Sequence, residues 1–353
     1  MLLTTCGSIR ASENYSPAQV LSTYNFNFYY TGTTAFLAER MDSMHEDITV
    51  IKISPKGNAI IKRFVCSDNV IRRIKISLGY FDNIQRFIEA TRDDPLLGCA
   101  EKYRGLRIRR LPHWNAAIVA LAQQNNSFIP AWRSLAKLIA NYSDIQRLLG
   151  RDIYILYDPA RMLCKLTGYR GLFHGPDTCI RRYEMIDKLP LVKRTIEKQI
   201  KELREITGLG YRANTLLVLA YSFASGLVDT SNPDKFYYSL RQVKGFGQYS
   251  ARLATLLTYG RFRFPPLDRW TIRLASHAYG VPAKTDNVEE EFMRRFGSDA
   301  GLAVFFLTVM LDADRFPAAL SRVKTGKICP MKKNGVSPLT LWKYDLVSNE
   351  KKK

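Results

Sequence analysis

The chain has 353 residues, 46% of them hydrophobic, enough to build two or three compact domains. Its 53 basic residues against 32 acidic ones leave a formal net charge of +21. Such an excess costs self-repulsion and is useful against a polyanion, so DNA, RNA and an anionic membrane surface are the candidate partners. No apolar run reaches the ~18 residues that a membrane span needs, and the opening MLLTTCGSIRASENY lacks the basic flank and long apolar run of a secretory signal. The expectation is an intracellular protein with no membrane partner.

Short runs of β character dominate the first hundred or so residues. NFNFYY (25–30) alternates, DITVIKIS (47–54) leads into the turn-like SPKGN, and AIIKRFVC (59–66) follows. IRRIKISL (71–78) is also read as an alternating strand. Runs of this kind separated by Pro-Gly chemistry predict an antiparallel sheet. FDNIQRFIEATRDD then reads as a connecting helix. From Leu111 the texture becomes helical: Pro112 can start a helix, and Trp114, Ile118 and Leu121 recur at its spacing. QQNNS (123–127) breaks that pattern, and Trp132, Leu135, Leu138 and Ile139 begin another apolar stripe. No clear period emerges over 151–186. LVKRTIEKQIKELREI (191–206) is a basic amphipathic helix closed by GLGYRA, and SNPDKFYYSLRQV (231–243) carries a start signal before Pro233. The lysine-rich segment after Arg322 is read as a mobile basic tail.

Six cysteines stand at 6, 66, 99, 164, 179 and 329 without a CxxC pair. That spacing suggests scattered thiols, not a zinc site or a disulfide framework. Cys329 stands alone in its region, which excludes a four-cysteine iron–sulfur cluster there.

VKGFGQYSARLATLLTYGRFRFPPLDRW (243–270) carries the chemistry. Lys244, Gly245, Phe246 and Gly247 form a bend between two helical patterns. Glycine admits a backbone with nothing over it, and the next helix begins with unpaired N–H groups and a positive dipole end. A bend of this kind can hold a phosphodiester through backbone amides. Such contacts position a duplex without reading its sequence. The helix stops near Gly260, RFRFPPL runs extended ahead of its prolines, and Asp268 stands where a helix N-cap is expected.

Gly245-Phe246-Gly247, Ser250-Ala251 and the later Asp268 resemble the helix–hairpin–helix DNA glycosylases with a Gly/Pro-rich loop and aspartate. EKYRGLRIRRLPHWNAAIVALAQQNNS (101–127) resembles the opening of the helical region in the 8-oxoguanine and 3-methyladenine branches. GLGYRA (208–213) resembles the 8-oxoguanine enzymes, and AGLAVFF (300–306) the last core helix. The likeness spans roughly 20–315 and is weakest over 151–189. It implies an α+β chain: a β-rich domain over 1–108, an all-α core over 109–320 and a basic tail over 321–353. Within that core, 109–189 with 285–320 would form one subdomain and 190–284 the helix–hairpin–helix subdomain.

The resemblance also implies roles. Asp268 would face C1′ of a flipped nucleotide in double-stranded DNA. Tyr249 and Trp270 would line the base pocket. Asn125 and Tyr211 would fill the vacated stack, with Arg212 on the opposite base. Bifunctional members hold a lysine at the position of Tyr249. A tyrosine cannot form the Schiff base that leads to strand cleavage, and the 3-methyladenine enzymes carry an aromatic residue there. The base-reading glutamine and stacking phenylalanine of the 8-oxoguanine enzymes fall at Val304 and Thr308. A monomeric, monofunctional glycosylase for alkylated purines is therefore expected. The alternatives are an oxidised or deaminated base, or a DNA-binding protein without catalysis. No cofactor or metal is expected beyond a monovalent cation at the hairpin.

Overall fold

The computed structural model describes residues 3–26, 28–40, 46–169 and 176–344. Four strands, β1 (Thr4–Ile9), β2 (Thr34–Arg40), β3 (Glu46–Ile53) and β4 (Ala59–Arg63), pair antiparallel in the order β1-β4-β3-β2. Helices dominate the rest, so the chain is α+β with an N-terminal antiparallel sheet. Alternation decides which face of the sheet is covered: Ala59 and Ile61 of β4, Ile51 of β3, and Ala35 and Leu37 of β2 join one apolar core.

That core is closed by the stretch read as a strand. IRRIKISL lies in a helix, Asp68–Ser77, capped by Ser67, whose hydroxyl accepts from the Val70 amide. Ile74, Ile76 and Leu78 alternate, but Ile71, Ile74 and Leu78 are spaced as on one helix face, and Val70 and Ile74 face the sheet. The helix wins because it covers one sheet face and leaves Arg72 and Arg73 exposed. NFNFYY is likewise no strand. Its described residues form turns, with Phe26 stacked on Phe28 at 5.0 Å and only Tyr30 bridging to Ala35. β1 and β2 had no sequence signal strong enough to place them.

The described residues divide into two compact units. One draws on Met1–Leu111, Ile145–Ile153 and Leu256–Leu346, the other on Pro112–Asp144 and Tyr154–Thr255. In the first, the helix Ala300–Met310 is apolar all round, and every residue but Thr308 is buried. In the second, the helix Pro190–Thr207 ends at Gly208, whose φ of 68° makes the left-handed stop expected of glycine. The unclear stretch 151–186 contains a strand, Arg151–Leu156, paired with Ser143–Leu148, and two helices, Pro159–Leu166 and Pro176–Glu184. A two-stranded sheet therefore lies inside the stretch read as all-helical. The glycine at 171 and its neighbours fall outside the described residues.

Two expectations fail outright. All six cysteines are paired: Cys6–Cys66, Cys99–Cys329 and Cys164–Cys179, across separations of 60, 230 and 15 residues. Spacing along a chain cannot show pairings made by folding. The segment after Arg322 is also ordered as far as residue 344. The Arg322 guanidinium donates to the Asp312 and Asp314 carboxylates and to the carbonyls of Met310 and Cys329. Trp342 packs edge-on to Tyr30 beside the sheet core. Residues 345–353, with the terminal lysines, lie outside the described residues. Among those described, no helix is long and apolar enough to cross a membrane.

Candidate functional site

The hairpin sits between the helices Pro233–Gln242 and Gln248–Tyr259. Gly245 has φ 85°, and a Cβ there would stand 2.5 Å from Thr215 Oγ1. Both the backbone conformation and the close approach of Thr215 demand glycine. Phe246 is only 2% exposed and anchors the bend, while Lys244, Gly245 and Gly247 stay exposed. The first bond of the following helix runs from the Ala251 amide to the Gly247 carbonyl at 3.0 Å. The amides ahead of it form the helix's N-terminal end, where an anion is favoured.

Gln124 ties this bend to the residues expected at the duplex. It follows the helix His113–Gln123, and its Nε2 donates to the Gly245 carbonyl at 3.0 Å. Its own carbonyl accepts from Arg212 Nη1 at 2.8 Å. Asn125 comes next with φ 48°, a left-handed conformation that asparagine tolerates better than most residues. Its Nδ2 donates to Tyr211 Oη at 3.0 Å. Tyr211 is 52% exposed at the start of the helix Arg212–Ala224. Arg212 is 8% exposed, with its guanidinium 5.4 Å from the Tyr211 ring. Asn125, Tyr211 and Arg212 are thus brought together, with the two polar tips outermost and the arginine bracing them from beneath. Gln124 was missed as a brace, because nothing in QQNNS distinguishes it from its neighbours.

This geometry separates the two glycines. Gly245→Ala is expected to lower the unfolding temperature by several degrees and to weaken duplex binding. Gly247→Ala meets nothing closer than Gln124 Nε2 at 3.9 Å, so it should leave the unfolding temperature unchanged and weaken binding to all sequences alike. Thermal unfolding and salt-controlled binding to two unrelated duplexes check both. A loss confined to one sequence would contradict a phosphate-gripping bend.

Asp268 belongs to the other unit. The extended RFRFPPL delivers it to the N-cap of the helix Arg269–Tyr279, where Oδ1 accepts from the Thr271 amide at 2.7 Å. The side chain is partly buried and has no ion-pair partner among the described residues. Burial raises its pKa, and the Thr271 hydrogen bonds oppose that rise only in part. Trp270 is fixed by its indole N–H, which donates to the Asp314 carbonyl at 2.8 Å. Tyr249 is partly buried in the first turn of the hairpin helix, and no lysine stands at that position. Val304 is buried and Thr308 partly exposed.

Tyr24 was not anticipated. Its hydroxyl lies 2.5 Å from Thr308 Oγ1, and its ring is 5.5 Å from that of Phe305. The Asp268 charge adds to the burial that raises the phenol's pKa. No local motif marks this tyrosine, since its partner is 284 residues away.

No family model matches the chain, and no curated protein does. Solved structures do. The 3-methyladenine DNA glycosylase of Archaeoglobus fulgidus superposes with a TM-score of 0.62 at 17% identity, over 85% of this chain and 96% of that one. The 8-oxoguanine glycosylase/lyase of Clostridium acetobutylicum in its apo form gives 0.61 at 13% identity, over 87% and 99%. MBOgg1 in complex with a low-affinity DNA ligand gives 0.58 at 16% identity, over 87% and 97%. The chain has the fold of the helix–hairpin–helix DNA glycosylases. Within that fold, the bend at Gly245–Gly247 precedes the helix Gln248–Tyr259, and Asp268 is the N-cap of Arg269–Tyr279.

Proposed function

We propose that the protein is a monofunctional DNA glycosylase that flips an alkylated purine out of double-stranded DNA and hydrolyses its N-glycosidic bond. The observation that carries this reading is Asp268: a partly buried carboxylate, held at a helix N-terminus and without an ion-pair partner among the described residues. Breaking the bond builds oxocarbenium-like charge at the sugar. A carboxylate fixed beside C1′ stabilises that charge and can position a water. Flipping costs a few kcal/mol, and Asn125 and Tyr211 are the groups to fill the gap, steadied by Arg212. Lys244 and the amides around Gly245 and Gly247 would hold a phosphate, with Phe246 as their anchor.

Tyr249 supports the monofunctional form. A purine alkylated at a ring nitrogen such as N3 or N7 is cationic, so the aromatic faces of Tyr249 and Trp270 would attract it by about 0.5–2 kcal/mol, and it leaves readily. Borohydride added during turnover on damaged duplex should trap no covalent complex, and the product should be an abasic site in an intact strand. Efficient trapping would overturn this. A second reading, an oxidised purine as substrate, draws on the likeness to an 8-oxoguanine glycosylase/lyase. It has to do without an amine at 249. A panel of single-lesion duplexes scored for released base separates the two, and no release from any duplex would leave a DNA-binding protein.

The Val243 and Gly245 carbonyls each accept one hydrogen bond, from Phe246 N and Gln124 Nε2, and keep a second lone pair. Those oxygens fit the monovalent cation expected at the hairpin, which would offset phosphate charge there. We take the protein to act as a monomer inside the cell. Intracellular proteins with several disulfides are characteristic of hyperthermophiles, so this placement carries an expectation of high stability.

A further inference from the structure

A cleft of about 650 Å³ lies between the helix Phe316–Lys324 and the segment that follows it. Arg322, Lys327, Lys332 and Lys333 line it, and among the described residues Asp314 is the one carboxylate on its wall. Two of the cations are compensated. Arg322 donates to the Asp312 and Asp314 carboxylates, and Lys332 pairs with Asp314. Lys327 and Lys333 are exposed and have no ion-pair partner among the described residues. Two uncompensated like charges on one cleft repel each other and are settled by an anion between them.

The backbone under both lysines is held in place. The Lys327 amide donates to the Arg322 carbonyl at 2.8 Å, and Arg322 Nε donates back to the Lys327 carbonyl at 3.1 Å. The Lys333 amide donates to the Met331 carbonyl at 3.1 Å, and its carbonyl accepts from Lys343 Nζ at 3.4 Å. Between the two lysines, Cys329 is tied to Cys99, and the Met331 amide donates to the buried Asp312 carboxylate at 2.7 Å. A loose lysine-rich tail would attract a polyanion without these bonds. Backbone ordered beforehand costs less to order on binding, which favours one defined anion over diffuse attraction.

The neighbourhood of the cleft says which anion. Asp314 lines the cleft while its carbonyl accepts the Trp270 indole N–H at 2.8 Å. The helix Arg269–Tyr279 also lays the Arg273 guanidinium over the Phe316 ring at 3.7 Å. Asp268 caps that helix, two residues before Trp270. A single hydrogen bond thus joins the cleft wall to the first turn of the Asp268 helix, and all these residues belong to one unit.

We infer that the cleft is a second phosphate grip, in which Lys327 and Lys333 hold one phosphodiester of the DNA strand that presents its nucleotide to Asp268. The inference rests on the DNA glycosylase reading and extends it to a segment outside the hairpin. Lysine suits the task as a point charge that asks for no fixed geometry of the phosphate. Ser321 and Asn334, also on the cleft, supply neutral donors. Such contacts position the strand and read no sequence.

The test measures affinity of the full chain for a duplex with a stable abasic-site analogue across a range of salt. Log affinity falls linearly with log salt, with a slope set by the number of phosphates neutralised. Lys327→Gln with Lys333→Gln is expected to flatten that slope by about one and to weaken binding about tenfold near 0.1 M salt. Lys327→Arg with Lys333→Arg keeps the charge and should bind as wild type does. Lys52→Gln with Lys56→Gln, at the end of β3 and in the turn after it, removes the same charge from two exposed positions elsewhere. That control pair should leave the slope as it is. A wild-type slope in the first variant overturns the inference. So does an equal flattening by the control pair, which would reduce the effect to net charge. Inorganic phosphate that binds wild type but not the first variant, with the DNA slope unchanged, would make the cleft a site for a free anion and overturn it as well. A wild-type chain that binds no duplex would instead remove the DNA reading on which the inference rests.

Discussion

Replacing Asp268 by asparagine is expected to slow base release by about 10³-fold or more, the scale for losing a positioned charge together with its general-base role. The fold should survive intact. Asparagine caps a helix as well as aspartate does, so the bond from the Thr271 amide (2.7 Å) can be kept. Stability should not fall and should rise slightly near neutral pH. The Asp268 pKa is raised by burial. Its contribution to stability is therefore present below the unfolded-state pKa and is lost as pH rises through the folded one. At neutral pH the wild-type protein carries that cost, and the asparagine does not. The same shift fixes the acid limb of the pH–rate profile. In the proposed mechanism base release needs the ionised carboxylate, so activity should fall on acidification at a pH above the ordinary carboxylate range. Thermal unfolding beside single-turnover kinetics checks each part. A variant that releases base at the wild-type rate removes Asp268 from the mechanism. A variant that melts well below wild type makes the residue a structural cap.

Reduction of the disulfides should produce the largest change in stability. In the chain-entropy account, closing a loop of 15 residues restrains the unfolded chain by about 3 kcal/mol and one of 230 by about 5 kcal/mol. The Cys99–Cys329 bridge therefore counts for most, because it pins the segment after Arg322 to the first unit. Full reduction is expected to lower the unfolding temperature on the order of 10 °C or more. The double substitution Cys99→Ala, Cys329→Ala should account for a larger share than removal of Cys164–Cys179. Unfolding followed with and without reductant measures both effects. Coincident curves would mean that the bridges restrain little that the fold does not already restrain.

Much of the architecture was legible in the chain because local spacing carries it. Alternation placed β3 and β4, and the helical spacing of Trp114, Ile118 and Leu121 placed the helix His113–Gln123. IRRIKISL shows where such reading fails. Ile74, Ile76 and Leu78 alternate while Ile71, Ile74 and Leu78 keep helical spacing, and only the sheet face covered by the second set chooses between them. The stretch after Arg322 misled for a related reason. Lysines set its composition, while its order comes from Arg322, Cys329 and Trp342 reaching partners elsewhere in the first unit.

By itself the sequence determined the hairpin glycines, the aromatic residue in the first turn after them, and the aspartate at a helix start. Each is a short-range feature whose backbone geometry follows from neighbouring residue types. The tertiary structure decided which cysteines pair, that Gln124 joins Asn125 and Arg212 to the hairpin, and that the hydroxyls of Tyr24 and Thr308 meet. Those bonds link residues from 15 to 284 positions apart. No periodicity encodes contacts of that range, because the folding of the intervening chain is what brings the partners together.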